Sequence, residues 1–355
     1  MTTRRATIAD VARAAGVSPS TASVAFSGRS RVAEATRQRV LDAAAALGYA
    51  GPDPRAASLR RGRSGIVGVV VGGTINSLFV DPVQRLLMDG LAEAVEPLGA
   101  GLLLLRAGAE AENAPTLATT PLDAAVLIGS SATIREMLGA VQAHRVPLVV
   151  IEGDAGAGVP RIQLDNRDAQ RRAAEHLRDL GHTDVATVTL RVSSAHGRGP
   201  LTVDEEIAVD VTRERLEGVR DVFPAAPAVA TLGSSVDEGL QAGRLLLADA
   251  DRRPTAVIAQ SDLLAAGVIR AAEEQGLRVP EDLSVTGFDG IGVDGLAPYE
   301  LTTLVQAATE KGRAAGEAVA VLLSGEVPES ITFTCTFRIG NTTAPPRSRR
   351  AASAS

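Results

Sequence analysis

Nine short apolar runs along residues 65–306 restrict this chain more than anything else in it: GIVGVVV, GLLLL, AAVLI, PLVVI, RIQLD, DVATVTL, AVIAQ, LSVTGF and TTLVQ. Several are apolar at every position rather than at alternate ones, the pattern of strands covered on both faces. Amphipathic helical stretches stand between many of them, for example at 82–96, 166–180 and 262–275. Strand, helix, strand in this rhythm specifies parallel sheets with helices packed against them. At 355 residues the chain exceeds what one core organises, and the α/β region from 65 to 343 is long enough for two lobes.

Charge divides the chain. Residues 1–65 hold eleven arginines against Asp10, Glu34, Asp42 and Asp53, a balance of +7, and the tail from Ala344 adds three more arginines. The whole chain carries −6, which leaves −16 on residues 66–343. A basic head on an acidic body suits a head that meets a polyanion; charge alone leaves a solvated basic arm open as the alternative. The single cysteine, Cys335, excludes an internal disulfide framework and fits a reducing compartment. The stretch MTTRRATIADVARAAG lacks the apolar core of a signal peptide, and no apolar run reaches ~18 residues. A cytoplasmic protein without a membrane partner is expected.

Within the basic head, GVSPSTASVAFSG, residues 16–28, is small and nearly neutral. Thr7 can cap a helix with Ile8, Val11, Ala12 and Ala15 on its apolar side, stopped by Gly16. Ser18 is an N-cap, followed by Pro19 at the first helical position. A second helix over Thr21 to Phe26 buries Ala22, Ala25 and Phe26 and turns Ser20, Ser23 and Val24 outward. A third runs from about Glu34 to Leu47, burying Val40, Leu41 and Ala44, and ends at Gly48. Two short helices joined by a Gly-Val-Ser turn make a helix-turn-helix, whose second helix enters the major groove. Small residues let that helix approach the base edges while flanking arginines hold the phosphates.

The segment TIADVARAAGVSPSTASVAFSGRSRVAEATRQRVLDAAAALGY resembles the N-terminal domain of the lactose-repressor (LacI/GalR) family of bacterial transcriptional regulators. The resemblance continues to about Thr343, most clearly in LGHTDVATV, TRERLEGVRD, LRVPEDLSVTGFDG and LTTLVQ. It implies a small all-α helix-turn-helix head, residues 1–50, and a hinge, residues 51–64. These precede an α/β two-lobed periplasmic-binding-protein-like body with parallel sheets, residues 65–343, that binds an effector and dimerises. It implies contacts to a double-stranded DNA operator from Thr7, Pro19, Ser20, Thr21, Ser23, Val24, Ser27 and Arg31. The family usually has an arginine or another polar reader where this chain has Val24, which can touch a thymine methyl but cannot hydrogen-bond a guanine. Ala33 stands where the family has a capping serine, so the third helix should start weakly.

Asp53 and Pro54 form a good N-cap and first-turn pair, so Arg55 to Arg61 can be helical, though too short to be stable alone. A plain Pro/Gly/Arg linker is the alternative. In the family, hinge helices pair across the dimer and push a leucine into the minor groove; the resemblance gives Ser58 a contact there and makes Leu59 the wedge. The tail APPRSRRAASAS, residues 344–355, has a disordered composition and no leucine heptad.

Open parallel sheets bind ligands beyond the carboxyl ends of their strands. Asn76, Asp165 with Asn166, Asp262, Asp289 and Gln306 collect at such ends. No phosphate loop or dinucleotide fingerprint opens a helix, so a polar small molecule held by side chains is expected, with no cofactor. The resemblance implies a sugar-like effector between the lobes, contacted by Asn76, Phe79, Asp165, Arg213 of TRERLEG, Asp262, Asp289 and Gln306. Carboxylates and an arginine suit a hydroxyl-rich ligand; a helix cap or turn residue is the alternative for each, above all for Asp262 and Asp289. Two tyrosines and no tryptophan leave any stacking platform to phenylalanine, so the effector need not be a sugar. LRVSSAHGRGPLTVDEEIAVDVTRERLEG is longer than the family's usual connection, as a lid or a disordered loop would be, and RAGAEAENAPTLATTPLD is shorter.

Catalysis finds no foothold. His144, His176, His182 and His196 lack metal-ligand spacing, no G-x-S-x-G elbow occurs, and Cys335 lies in an alternating pattern that buries it. A transport binding protein would account for the body but not for the basic head. The expectation is a non-enzymatic transcriptional regulator, a repressor working as at least a homodimer on a pseudo-palindromic operator. The helix face Val83, Leu86, Leu87, Gly90, Leu91 and Val95 is the expected dimer surface, with packing on the sheet as the alternative.

Overall fold

The computed structural model describes residues 6–27, 32–51, 62–107, 117 and 119–347, in two compact units that divide after Gly65. The head contains α1 (Ile8–Ala15), α2 (Pro19–Ser27) and α3 (Glu34–Ala46). Thr7 and Asp10 form a capping box: the Asp10 N–H donates to the Thr7 hydroxyl at 3.3 Å and the Thr7 N–H to the Asp10 carboxylate at 3.0 Å. Gly16, at φ +66, ends α1 in the left-handed conformation, and Ser18 Oγ accepts the Thr21 N–H at 3.1 Å. Val11, Ala12, Ala15, Ala22, Ala25, Val40 and Ala44 fill the core between the helices. Phe26 meets Tyr49 edge-on with ring centres 5.5 Å apart. Leu41 is only half-buried, because the inward stripe of α3 follows Val40 and Ala44, four residues apart. Ala33 supplies no side-chain cap to α3.

The body begins with β1 (Ile66–Val71), α4 (Ser77–Val80), α5 (Pro82–Val95), β2 (Gly101–Arg106), β3 (Ala124–Ile128), α6 (Ser131–His144), β4 (Leu148–Ile151) and β5 (Arg161–Leu164). The chain then crosses into a second lobe. There it forms α7 (Asn166–Asp179), β6 (Val185–Thr189), β7 (Gly199–Pro200), α8 (Asp210–Arg220) and β8 (Ala228–Ala230). The same lobe continues with α9 (Val236–Leu247), β9 (Ala256–Ala259), α10 (Asp262–Glu274), β10 (Ser284–Asp289) and β11 (Thr302–Val305). It returns for α11 (Ala308–Ser324) and β12 (Ile331–Phe333), and crosses a last time to β13 (Thr336–Arg338). The first sheet is parallel throughout, in the order β12-β5-β4-β3-β1-β2. The second runs β13-β11-β10-β9-β6-β8-β7, antiparallel only at its two edges. Every apolar run quoted above is a strand, and β3 and β4 are buried at each position, as strands with helices on both faces must be.

Three sequence expectations change. Four of the six residues expected at the dimer face of α5 are occupied inside the lobe: Leu87, Gly90, Leu91 and Val95 are buried against α11 and the sheet, while Val83 and Leu86 are half-buried. Gly90 and Gly312 bring α5 and α11 together backbone to backbone. A Cβ on Gly312 would lie 1.9 Å from the Leu87 carbonyl oxygen, and one on Gly90 equally close to that of Thr309. The long connection at 190–209, for its part, is an ordered cover on the second sheet. Its β7 pairs with edge strand β8, Val192 and Ile207 are buried, and Arg198 grips Glu238 with two hydrogen bonds of 3.0 and 2.5 Å. Most of the 106–123 segment lies outside the described residues. The tail does not loosen at Ala344, whose N–H donates to Ser284 Oγ at 3.0 Å, and Arg347 pairs with Asp282 at 2.8 Å.

Candidate functional site

Three chain crossings join the lobes, after β5, after β11 and after β12. Asp165 and Arg172 tie the first to the third. The Asp165 carboxylate accepts the Cys335 N–H at 2.9 Å and Arg172 Nη2 at 2.8 Å, and Arg172 Nη1 donates to the Cys335 carbonyl at 2.8 Å. Cys335 is buried in this crossing, and burial pushes its thiol up to about 12, out of the reactive range.

Between the lobes lies a cavity of about 220 Å³. Its walls come from the carboxyl ends of strands, as expected of parallel sheets: Ile128 and Gly129 after β3, Glu152 after β4, Leu190 after β6, Ser261 after β9, Asp289 and Gln306. Helix starts supply Asp81, Gln84 and Asp210, and α8 and α11 supply Arg215 and Lys311.

Arg215 is the organising cation. Its Nε donates to Asn166 Oδ1 at 3.0 Å and its Nη1 to the Gln260 carbonyl at 2.6 Å. Its guanidinium carbon sits 3.4 Å from the Phe288 ring centre, and Asp289 lies 4.0 Å away. Asp289 adopts φ +117, a conformation unusual for any residue with a side chain. Gln306 Nε2 donates to its carboxylate at 2.6 Å. Burial holds the Asp289 carboxyl well above the ordinary carboxylate range, opposed by Arg215 and reinforced by Asp262 and Asp81. Glu152 is the converse case. Burial works to raise it, yet the Lys311 ammonium bonded to it holds it below its usual value. Asn166 Nδ2 reaches Glu152 at 3.0 Å and Glu214 at 3.3 Å, so this one amide touches both lobes. Asp210 makes the other bridge, accepting the Ser131 N–H across the cleft at 2.6 Å.

Residues 7–51 match the profile described as bacterial regulatory proteins, lacI family, and residues 174–343 that of a periplasmic binding protein-like domain. An HTH-type transcriptional regulator of Mycolicibacterium smegmatis is 35% identical over 331 residues, 88% of this chain and 89% of that protein. The chain belongs to the lacI family of bacterial regulatory proteins. Its fold is shared with a crystal structure of the lac repressor dimer bound to operator and the anti-inducer ONPF (TM-score 0.74, 22% identity, 96% of this chain and 100% of that one). It is similar also to the transcriptional regulator CelR in complex with cellobiose (TM-score 0.66, 25% identity, 95% and 100% covered). The family consists of transcriptional regulators, not enzymes. Among the described residues no helix is long and apolar enough to cross a membrane, and no group of three or more His, Cys, Asp or Glu is placed to hold a metal.

In this lacI-family regulator only Asp289 and Gln306, of the residues singled out in the sequence for the effector, line the cleft. Arg213 does not. Its side chain is 41% exposed and pairs with Asp210 at 2.8 Å, while Arg215, two residues on and about 200° around the helix, points inward. The helical phase of Thr212, Leu216 and Val219, all buried, is the signal that would have found Arg215. Asp165 braces the crossings instead of lining the cavity. Asn76 and Phe79 sit at α4, exposed and off the lining, Phe79 by 65%. In the head, Thr7, Pro19 and Ser20 are exposed and Thr21, Ser23 and Val24 half-buried. Arg31, Ser58 and Leu59 lie outside the described residues, as does the side chain of Ser27.

Asp262 lies wholly inside the second lobe. It accepts Thr303 Oγ1 at 2.6 Å and the Ile291 N–H at 2.8 Å, while the cap of α10 is Ser261. Burial raises its carboxyl to about 6. A folded-state value above the unfolded 3.8 means that this group favours the folded state at low pH and loses that contribution as pH rises through 6. Asp262→Asn turns an NH2 toward one of two donors and should cost about 1–3 kcal/mol at neutral pH, read from urea unfolding; an unchanged midpoint would contradict the pairing.

Proposed function

We propose that this regulator is a homodimeric repressor, acting in the cytoplasm, that reads a pseudo-palindromic operator with α2 and is controlled by a small polar effector in the cleft. The observation that carries the reading is the buried Arg215–Asp289–Gln306 group in a cleft between two lobes joined by three crossings, on a chain with a lacI-type head. The lac repressor dimer on its operator and the cellobiose complex of CelR, both of this fold, support the DNA, dimer and sugar-type parts of it. Arg215, Asp289 and Gln306 hold the effector. Pro19, Ser20, Thr21, Ser23 and Val24 face the operator, with Ser27 and Arg31 beside them, and Leu59 enters the minor groove next to Ser58. Ligand and operator then share one equilibrium between lobe arrangements, so each alters the affinity of the other by the same factor.

Selection of bound sequences from a random DNA pool by the full-length protein tests the head. The expected result is a two-fold symmetric site with a thymine methyl facing Val24 in each half. Enrichment of no sequence, with binding that only tracks salt, would contradict sequence reading by α2.

A further inference from the structure

The polar groups of the cleft are unevenly matched. Its two cations are both committed within the protein: Lys311 to Glu152, and Arg215 to Asn166 and the Gln260 carbonyl with Asp289 beside it. Two further carboxylates, Asp81 and Asp210, also line it. Asp210 is answered by Arg213, and Asp81 by the N–H groups of Val83 and Gln84 at the start of α5. For a ligand they leave Arg215 Nη2, which makes no hydrogen bond among the described residues, against four carboxylates in the wall. Two acceptors are left over as well. The side-chain oxygens of Gln84 and Gln306 are buried and have no hydrogen-bond partner, and the bond from Gln306 Nε2 to Asp289 directs the other end of that amide away from the carboxylate. A buried acceptor without a donor is a cost that folding retains only where something else meets it.

From this arrangement we infer that the cleft selects a compact, donor-rich ligand that is uncharged or cationic and rejects anionic ones, with Gln84 and Gln306 setting the preference. The inference deepens the effector reading above and rests on it. Hydroxyl or ammonium hydrogens of the ligand meet the two amide oxygens and the outer faces of the carboxylates. A phosphate or carboxylate brings only more acceptors to a wall that already holds four acids. Among the described residues the lining contains no aromatic side chain to stack on a flat ring. A cavity of about 220 Å³ falls below the roughly 300–1,000 Å³ of sites for drug-sized ligands, which limits the occupant to about one ring.

The test is calorimetric titration of the full-length protein with pairs that differ in charge. D-ribose is set against ribose 5-phosphate, D-glucose against glucose 6-phosphate and glucuronate, and D-glucosamine is added as the cationic member. Binding by at least one uncharged or amino compound is expected, with each anion weaker than its parent by about tenfold or more. An anion that binds as tightly as its parent overturns the inference, and so does a series in which nothing binds. Operator binding, measured on the same sample, then decides separately whether the regulator reading stands. Gln84→Leu removes one orphan acceptor. It should weaken the preferred compound by about tenfold while the unliganded protein melts no lower than the parent chain. Unchanged affinity would take Gln84 out of the account.

Discussion

Gly312→Val is expected to disrupt the first lobe, at a cost above ~4 kcal/mol. A Cβ at this position stands 1.9 Å from the Leu87 carbonyl oxygen and 2.9 Å from the Leu91 nitrogen. Both are backbone atoms of α5, so no side-chain rotation relieves the overlap. The helices must separate along their length, which opens the seam that buries Leu91, Ala315 and Val319. Gly90 of α5 and Gly316 of α11 mark the same close approach, since a Cβ on either would overlap the facing helix. Gly139 is the control. It lies in α6 with nothing within 4 Å of its Cβ position, and Gly139→Ala should stabilise by up to about 1 kcal/mol through helix propensity. Urea unfolding of both variants reads the contrast; a Gly312→Val protein with the parent midpoint would rule out the backbone-to-backbone seam.

Arg215→Ala should cost about 3–5 kcal/mol, the penalty for leaving a buried counter-charge unpaired. It strands Asp289, removes the donors to Asn166 and to the Gln260 carbonyl, and takes the cation from the Phe288 face. Arg213→Ala, two positions earlier, removes a pair that is 41% exposed on its cationic side and should cost less than ~1 kcal/mol. Thermal unfolding separates the two. Because Arg215→Ala destabilises the fold as well as the site, Arg215→Lys is the sharper probe of function. It keeps the charge, loses the planar fork, and should fold while binding the cleft ligand far more weakly. Should Arg213→Ala reduce ligand binding more than Arg215→Lys does, the assignment of the cleft arginine would be wrong.

These two arginines also show where the sequence was and was not sufficient. The strands were legible because covered parallel strands are apolar at every position, a signal five to seven residues long that needs no partner to interpret. β12 and β13 are three residues each and partly exposed, so they carry no such signal. The head was legible because its determinants are local: the capping box of Thr7 and Asp10, the left-handed Gly16 and the Ser18–Pro19 start lie within a few residues of what they control. Cleft residues are fixed by partners far along the chain. Asp165 holds a residue 170 positions away, and Glu152 faces Lys311 across 159. A carboxylate at the end of a strand can brace a crossing, as Asp165 does, fill a buried network, as Asp262 does, or line the cavity, as Asp289 does. The sequence looks the same in all three cases. Arg213 differs from Arg215 only by helical phase, and there the apolar periodicity of α8 held the answer.

Operator affinity measured with and without cleft ligands reads the coupling between cleft and head. A fluorescent duplex carrying the selected operator is titrated with full-length protein, alone and with each compound of the charge-paired series in turn. A compound which binds the protein is expected to shift the operator Kd by about 5–150-fold, and Arg215→Lys to abolish the shift while operator binding itself survives. An operator Kd indifferent to every compound that demonstrably binds the cleft would contradict that coupling.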